Sequence, residues 1–238
     1  MRFKKTTLWA IIAGLLTALA LTGCNGKILP VECIDVDANY VSLLQWDGVM
    51  YYDNTNPNPI ALGKGKEIGR ITYSKSEQKC PRAELQDGDA TNLKTGTLLY
   101  EVEGYKTSAR LWAGDRLYLA SNNPAARTLN DLLDIVGKIQ TVRFVSGNDG
   151  SDLMDFTPEA NAVFIREFPK LAYLPFEELS KQTKSWVGDK YWMEIEMTDG
   201  SSVRVTYNTM SPSFHPSAYA TPELAELVEQ QRKLIYAQ

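Results

Sequence analysis

Tight turns built on Asp and Gly are the feature that most constrains the fold of this chain. Asp47-Gly48, Asp199-Gly200 and the reversed pair Gly114-Asp115 each separate short segments rich in apolar residues. Asp and Gly accept the positive backbone φ that short hairpin loops require. The chain is therefore predicted to fold largely as antiparallel hairpins, and its 238 residues allow one large domain or two small ones.

The first of two predicted units, residues 38–120, is β-rich. Its strands are expected at 40–46, 49–53, 67–73, 97–102, 108–113 and 116–120, with a long polar loop at 74–92. Asn, Pro and Ala residues then follow in the segment Ser121–Arg127. This composition predicts a linker and places the domain boundary there.

The second unit, residues 128–238, is predicted to be a small α+β domain, a sheet with helices on one face. Thr157-Pro158-Glu159 and Thr221-Pro222-Glu223 each have the order of residues that begins a helix. A short helix is also expected at 129–136. The predicted class of the whole chain is therefore α+β, with a β-rich N-terminal unit.

The strongest hairpin signal of the second unit surrounds Asp199-Gly200. Flanking residues alternate between apolar and polar, and a three-residue loop, Thr198–Gly200, puts the apolar sets on one face by pairing Ile195 with Val203. Trp192 then lies on the opposite face, where it is predicted to be exposed or to lie under a loop. An exposed tryptophan is a candidate contact for a partner, although most aromatic residues in strands belong to a core.

Residues 1–23 have the parts of an export signal. Three positive residues lie within the first five, and the uncharged run Leu8–Leu21 is too short to span a membrane. The segment Leu21–Cys24 resembles the lipobox of bacterial lipoproteins, in which the cysteine thiol is acylated and the peptide is cut before it. The resemblance implies lipidation of Cys24, a tether over residues 24–37 and anchoring at the extracytoplasmic face of the cell membrane. A plain signal peptide or signal anchor is the alternative.

Net charge narrows the class of partner. Loss of residues 1–23 removes three positive charges and changes the formal net charge from −4 to −7. Such an acidic chain is a poor match for nucleic acid, since phosphate binding needs a basic surface. It gains nothing from an anionic leaflet either, so acyl chains are expected to hold it on the membrane.

Two cysteines remain once Cys24 is acylated. Cys33 and Cys80 are expected to form a disulfide outside the cytoplasm, closing a loop of about 48 residues worth roughly 3–4 kcal/mol in the chain-entropy model. Two free thiols are the alternative. Two cysteines alone are a poor metal site.

Catalytic and metal-binding patterns are weak throughout the sequence. The single histidine, His215, lies between two prolines and is interpreted as loop surface. The glycines at 63, 65 and 69 do not match a phosphate loop, and the acidic turns do not match an EF-hand. We expect no metal and no cofactor. Because the carboxylates of a glycosidase are distant in sequence, a hydrolase acting on cell-wall material is kept as the alternative function.

Four segments of the first unit resemble uncharacterised lipoproteins of Gram-positive, spore-forming bacteria. These segments are 46–52, 62–69, 87–91 and 96–105. The resemblance covers about the first half of the mature chain. It implies a surface lipoprotein with a β-rich first domain, and it implies no enzymatic activity. The expected function is therefore non-catalytic binding at the cell envelope, with a protein or a wall polymer as partner.

Overall fold

The computed structural model describes residues 41–54, 62–183 and 187–236. They form a mixed structure in which strands predominate over a few short helices, so the α+β class is confirmed at that level. All belong to one compact unit that runs from Asp37 to Gln238. The predicted signal peptide at 1–23, the tether at 24–37, Cys24 and Cys33 lie outside the described residues.

The N-terminal part of the described chain forms an eight-stranded sheet. Its strands are β1 (Leu43–Trp46), β2 (Val49–Asp53), β3 (Lys64–Arg70), β4 (Tyr73–Ser74), β5 (Asp89–Ala90), β6 (Leu98–Val102), β7 (Arg110–Ala113) and β8 (Arg116–Asn122). In space the order is β3-β6-β7-β8-β2-β1-β5-β4, and β4–β5 is the parallel pair. The expected strand at 67–73 begins three residues earlier, and β5 falls inside the segment expected to be a loop.

Two turns predicted from Asp and Gly are confirmed in this sheet. Asp47 and Gly48 have φ of 50° and 71°, and they join β1 to β2 in a two-residue hairpin loop. Gly114 has φ of 58° in the turn between β7 and β8. Residues with a side chain rarely adopt such a positive φ, which is why glycine occupies positions 48 and 114.

The second sheet has six strands, all antiparallel. They are β9 (Ile139–Val145), β10 (Asp152–Asp155), β11 (Lys190–Met197), β12 (Ser202–Asn208), β13 (Ser213–His215) and β14 (Ala218–Tyr219), in the spatial order β10-β9-β11-β12-β13-β14. The predicted register of the β11–β12 hairpin is confirmed, since Ile195 lies opposite Val203 and Met193 opposite Val205. Gly200 has φ of 80°, as the three-residue loop requires.

The α-helices of the described residues are α1 (Leu129–Leu133), α2 (Pro158–Glu167), α3 (Phe176–Thr183) and α4 (Pro222–Leu234). The predicted helix starts are confirmed, because the Thr157 and Thr221 hydroxyls each accept a hydrogen bond from a backbone N–H of the first turn. α1 is shorter than expected, since Asp134 ends it in the left-handed conformation at φ 51°.

Helices lie on both faces of the second sheet. α2 packs on the core face, where the Phe164 ring meets the Phe214 ring edge-on at 6.0 Å, and Val228 of α4 is buried in the same core. α3 instead lies over the opposite face, which it reaches through Phe176 beside His215. The expectation of helices on one face therefore applies to α2 and α4, while α3 adds a cover on the other side.

One continuous apolar core combines residues of both sheets. Leu44, Leu111 and Leu119 of the first sheet belong to the same buried cluster as Met193 and Val203 of the second. Strand β8 continues to Asn122, so the predicted linker Ser121–Arg127 begins within a strand. Whether this segment separates two folding units stays a prediction, for which limited proteolysis is the test.

A buried arginine also joins the two sheets. Arg110 of β7 is 1% exposed and donates a hydrogen bond of 2.9 Å from Nη1 to the Ser201 hydroxyl beside β12. Its guanidinium lies 3.5 Å from the centroid of the Tyr105 ring, and Tyr105 donates its hydroxyl proton to Asp199. Burial lowers the pKa of Arg110 from its ordinary value, while Tyr105 and Asp199 favour its charged form. This polar contact ties the first sheet to the β11–β12 loop.

Candidate binding groove on the second sheet

Three adjacent strands of the second sheet build the floor of a groove. Trp192 on β11 lies opposite Thr206 on β12, and Thr206 lies opposite His215 on β13. Directly opposed residues in a sheet point to the same face. These three side chains therefore form a row across the face that is turned away from the core.

A second row and a helix complete the groove. Lys190, Asn208 and Ser213 are opposed in the same way, two residues along each strand. Above the floor lies α3, which contributes Phe176 and Leu179. The groove has a volume of about 680 Å³, within the range of sites that hold small molecules or several side chains.

Trp192 is held at the edge of the groove by a glycine. A Cβ on Gly147 would come within 2.6 Å of Trp192 Nε1, so the indole lies directly against this backbone. The rest of the ring is open, and Trp192 is 41% exposed. Its predicted exposure is thus confirmed, while its role as a partner contact stays a prediction.

Aromatic rings also mark the opposite side of the groove. The Phe176 ring lies 5.1 Å from the His215 ring at an interplanar angle of 74°, and Phe176 is 49% exposed. His215 is the last residue of β13 rather than part of an irregular loop, so the loop part of the interpretation was wrong, whereas its exposed side chain confirms the surface part. Short strands of three residues carry too little alternation to be recognised in the sequence.

The electrostatic character of the groove is set by one charge. Lys190 is the charged residue among those described that line it, and within the described chain it forms no ion pair. Packing around His215 and the positive charge of Lys190 lower the pKa of the imidazole. His215 is therefore neutral at pH 7, and one ring nitrogen donates while the other accepts.

Several polar atoms of the groove are unused by the protein. In the part of the chain that the structure describes, neither ring nitrogen of His215 makes a hydrogen bond, and the same holds for Trp192 Nε1 and the Thr206 hydroxyl. Asn208, by contrast, is occupied: its amide donates to the Val187 carbonyl at 3.0 Å and accepts from two backbone N–H groups. The groove thus offers ring surfaces and a few free hydrogen-bonding groups.

Carboxylates do not take part in this site. No Asp or Glu of the described residues lines the groove. Among the described carboxyls, Asp53 is the one with a raised pKa, because burial outweighs the opposing effect of Arg116. Asp53 is on β2, where it forms an ion pair with Arg116. Among the described residues, this groove therefore holds no acid–base pair of the kind that glycoside hydrolysis uses.

A second depression lies between α2 and α4. It has a volume of about 570 Å³ and is lined by Glu159, Glu223 and Glu226 together with neutral residues. These carboxylates are exposed at the helix surfaces. None of the described residues that line this depression is aromatic, and its buried polar residue, Gln231, already accepts a hydrogen bond of 2.9 Å from the Thr157 N–H. The depression therefore offers a ligand fewer contacts than the groove under α3.

The predicted cysteine sites are only partly within the described chain. Cys80 is exposed, in the segment between β4 and β5. Its expected partner Cys33 lies outside the described residues, as does Cys24. The pairing of Cys33 with Cys80 and the lipidation of Cys24 therefore stay predictions.

Comparison with protein-family models, with curated proteins and with solved structures finds no significant match to this chain. None of the helices in the described ranges is both long and apolar enough to cross a membrane. Nor do those ranges bring three or more His, Cys, Asp or Glu side chains together as metal ligands.

Proposed function

We propose that this chain is a lipid-anchored lipoprotein that binds a component of the cell envelope through the groove under α3, without catalysing a reaction. The proposal combines the export signal and lipobox with the surface of the second sheet. Lipidation of Cys24 would fix the protein at the extracytoplasmic face of the cell membrane, where such components are within reach.

The observation that carries the binding proposal is an aromatic groove without carboxylates. Trp192 and Phe176 present open rings on either side of a polar floor, and these rings supply large contact areas at low entropic cost. A hydrolase needs a positioned acid and base, whereas a binding site needs only complementary surface. The composition of this groove favours binding.

Membrane anchoring is tested by metabolic labelling. Cells fed with labelled palmitate are expected to label the wild-type chain and not the Cys24→Ala variant, because the thiol is the acylated group. Wild-type protein should fractionate with membranes. Equal labelling of the two proteins, or a soluble wild type, would reject the anchor.

The proposed Cys33–Cys80 disulfide is tested by mass spectrometry. Unreduced mature protein should be lighter than the reduced form by about two hydrogens, and a peptide containing both residues should be recovered after digestion. Titration of free thiols at both positions would contradict the pairing.

The binding function is tested with the anchored protein as bait in cross-linked cells. Trp192→Ala should abolish recovery of the envelope component, because the indole is the largest aromatic ring that lines the groove and is exposed. Tyr236→Ala is the matched control, since Tyr236 is an aromatic residue 76% exposed that lies outside the groove. Turnover of wall fragments by the purified protein, lost on substitution of an acidic pair, would instead establish the hydrolase.

A further inference from the structure

Exposed apolar side chains are concentrated around the groove. Of the ten large apolar residues that are exposed in the described chain, Phe176 and Trp192 line the groove, and Val187, Met210 and Tyr219 are hydrogen-bonded to residues of its floor or of α3. A contiguous exposed apolar patch is characteristic of protein interaction sites, whereas single exposed apolar residues are ordinary. The groove with its surroundings is therefore unusual within this molecule.

Hydrogen bonds place the three residues outside the groove at its rim. The Val187 carbonyl and the Met210 N–H both bond to the side chain of Asn208, which lines the groove. Tyr219, on β14 beside β13, donates its hydroxyl to Gln182 of α3 at 2.9 Å. We call these residues, Val187, Met210 and Tyr219, the apolar rim.

The rim favours a peptide over a saccharide. Val187 and Met210 present aliphatic surface that offers no hydrogen-bond partner to sugar hydroxyls, but it buries apolar side chains favourably. Within the groove, the free groups of His215, Trp192 and Thr206 are donors and acceptors suited to a peptide backbone. These free groups are few, which suits a ligand whose remaining surface is apolar.

Charge defines the second property of the ligand. Lys190 lines the groove without an ion pair within the described residues, and it is close enough to His215 to affect the ring electrostatically. None of the acidic residues near Lys190 lines the groove, neither Asp189 and Glu194 next to it in sequence nor Glu177 and Glu178 of α3. A ligand carboxylate beside Lys190 would therefore meet an unpaired cation.

We propose that the groove binds a short segment of a partner protein that presents an aromatic or aliphatic side chain next to a carboxylate. The apolar side chain lies between Trp192 and Phe176, and the carboxylate pairs with Lys190. This inference rests on the proposed binding function and specifies the chemistry of its partner.

The proposal is tested by selecting peptides from a random hexapeptide library. The target is the full-length chain in lipid nanodiscs, immobilised through a C-terminal tag. Enriched peptides should share an apolar residue within two positions of Asp or Glu. Selection against Lys190→Glu should replace the acidic residue by Lys or Arg, because the charge of the site is reversed. Peptides without such a consensus, or an unchanged consensus for Lys190→Glu, would overturn the proposal.

Measured affinities provide a second readout. A consensus peptide should bind Lys190→Glu and Trp192→Ala at least about tenfold more weakly than wild type. Lys181→Glu should bind it as wild type does, since Lys181 is an exposed lysine of α3 that does not line the groove. If Lys181→Glu weakened peptide binding equally, the loss would be an effect of net charge. That result would contradict a specific ion pair between Lys190 and the carboxylate of the ligand.

A binding assay with isolated cell-wall polymer distinguishes failure of this inference from failure of the proposed function. If the library gives no consensus but isolated cell-wall polymer binds wild type and not Trp192→Ala, the peptide chemistry is wrong and the binding function stands. If neither binds, and both variants unfold at the same urea concentration as wild type, both proposals are rejected.

Discussion

Tryptophans in the two sheets lie against glycines, yet their exposure differs. In the first sheet, Trp46 packs so closely on Gly69 that a Cβ there would lie 2.1 Å from the ring, and Trp112 donates its indole N–H to a backbone carbonyl and is 8% exposed. In the second sheet, Trp192 has Gly147 at one edge but is 41% exposed. The comparison teaches that the covering elements, rather than the residue type, decide which aromatic surface is left for a partner.

The charged edge strand β3 provides the cover in the first sheet. Gly63 precedes this strand and accepts the Trp112 bond, while Gly69 lies within it. In the second sheet, α3 stands over the floor but leaves a groove of about 680 Å³ beside Trp192. The first sheet therefore buries Trp112, whereas the second sheet leaves Trp192 accessible.

The largest expected difference between the sheets is in stability after loss of an aromatic side chain. Tyr118→Ala should lower the free energy of unfolding by about 3–5 kcal/mol, because Tyr118 is 0% exposed and its removal leaves a cavity. Trp192→Ala should lower it by about 1 kcal/mol or less, as expected for a partly exposed position. Urea unfolding of both variants measures the two values, and equal losses would break the comparison.

Glycine substitutions should produce a smaller contrast. Gly69→Ala introduces a methyl group where the Trp46 ring lies and should cost about 1–3 kcal/mol of stability. Gly147→Ala meets the Trp192 indole in the same way, but this ring can turn towards solvent, so binding should fall while stability changes little. Urea midpoints and peptide affinity report the two effects separately. A large loss of stability in Gly147→Ala would show that the indole is fixed.

The smallest expected effect is a pH dependence that belongs to the second sheet alone. Packing and Lys190 lower the pKa of His215, so below about pH 6.5 the unfolded chain takes up a proton that the folded chain does not. The free energy of unfolding should therefore decrease as the pH falls from 6.5 towards the folded pKa of His215. In His215→Gln the urea midpoint should change less between pH 7 and pH 5.5 than in wild type. If the midpoint of the variant depends on pH as steeply as that of wild type, the dependence comes from carboxylates.

Local chemistry explains which elements the sequence predicts. Thr198–Gly200 carries its own turn conformation, and the alternation on each side fixes the pairing of Ile195 with Val203. Thr157 and Thr221 begin helices because their hydroxyls accept the bonds of the first turn. Each of these signals lies within about ten residues, where short-range preferences dominate.

The groove has no comparable local signal. Phe176, Lys190 and His215 lie on α3, β11 and β13, and only the tertiary arrangement brings them together. Helix α3 follows Leu174-Pro175 rather than a Ser, Thr, Asp or Asn cap, so its start is not marked in the sequence. Trp192 was identified because alternation in one strand already determines its face.

The buried bridge from Arg110 has a consequence for the order in which this protein takes shape on the ribosome. Arg110 and the serine that accepts its hydrogen bond are 91 residues apart. At about 5–20 residues per second, the arginine is added to the chain roughly 5–18 seconds before that serine. Burying its charge unpaired would be costly. The Arg110 side chain is therefore expected to stay in contact with water in the nascent chain, and to be buried only after Ser201 has been translated.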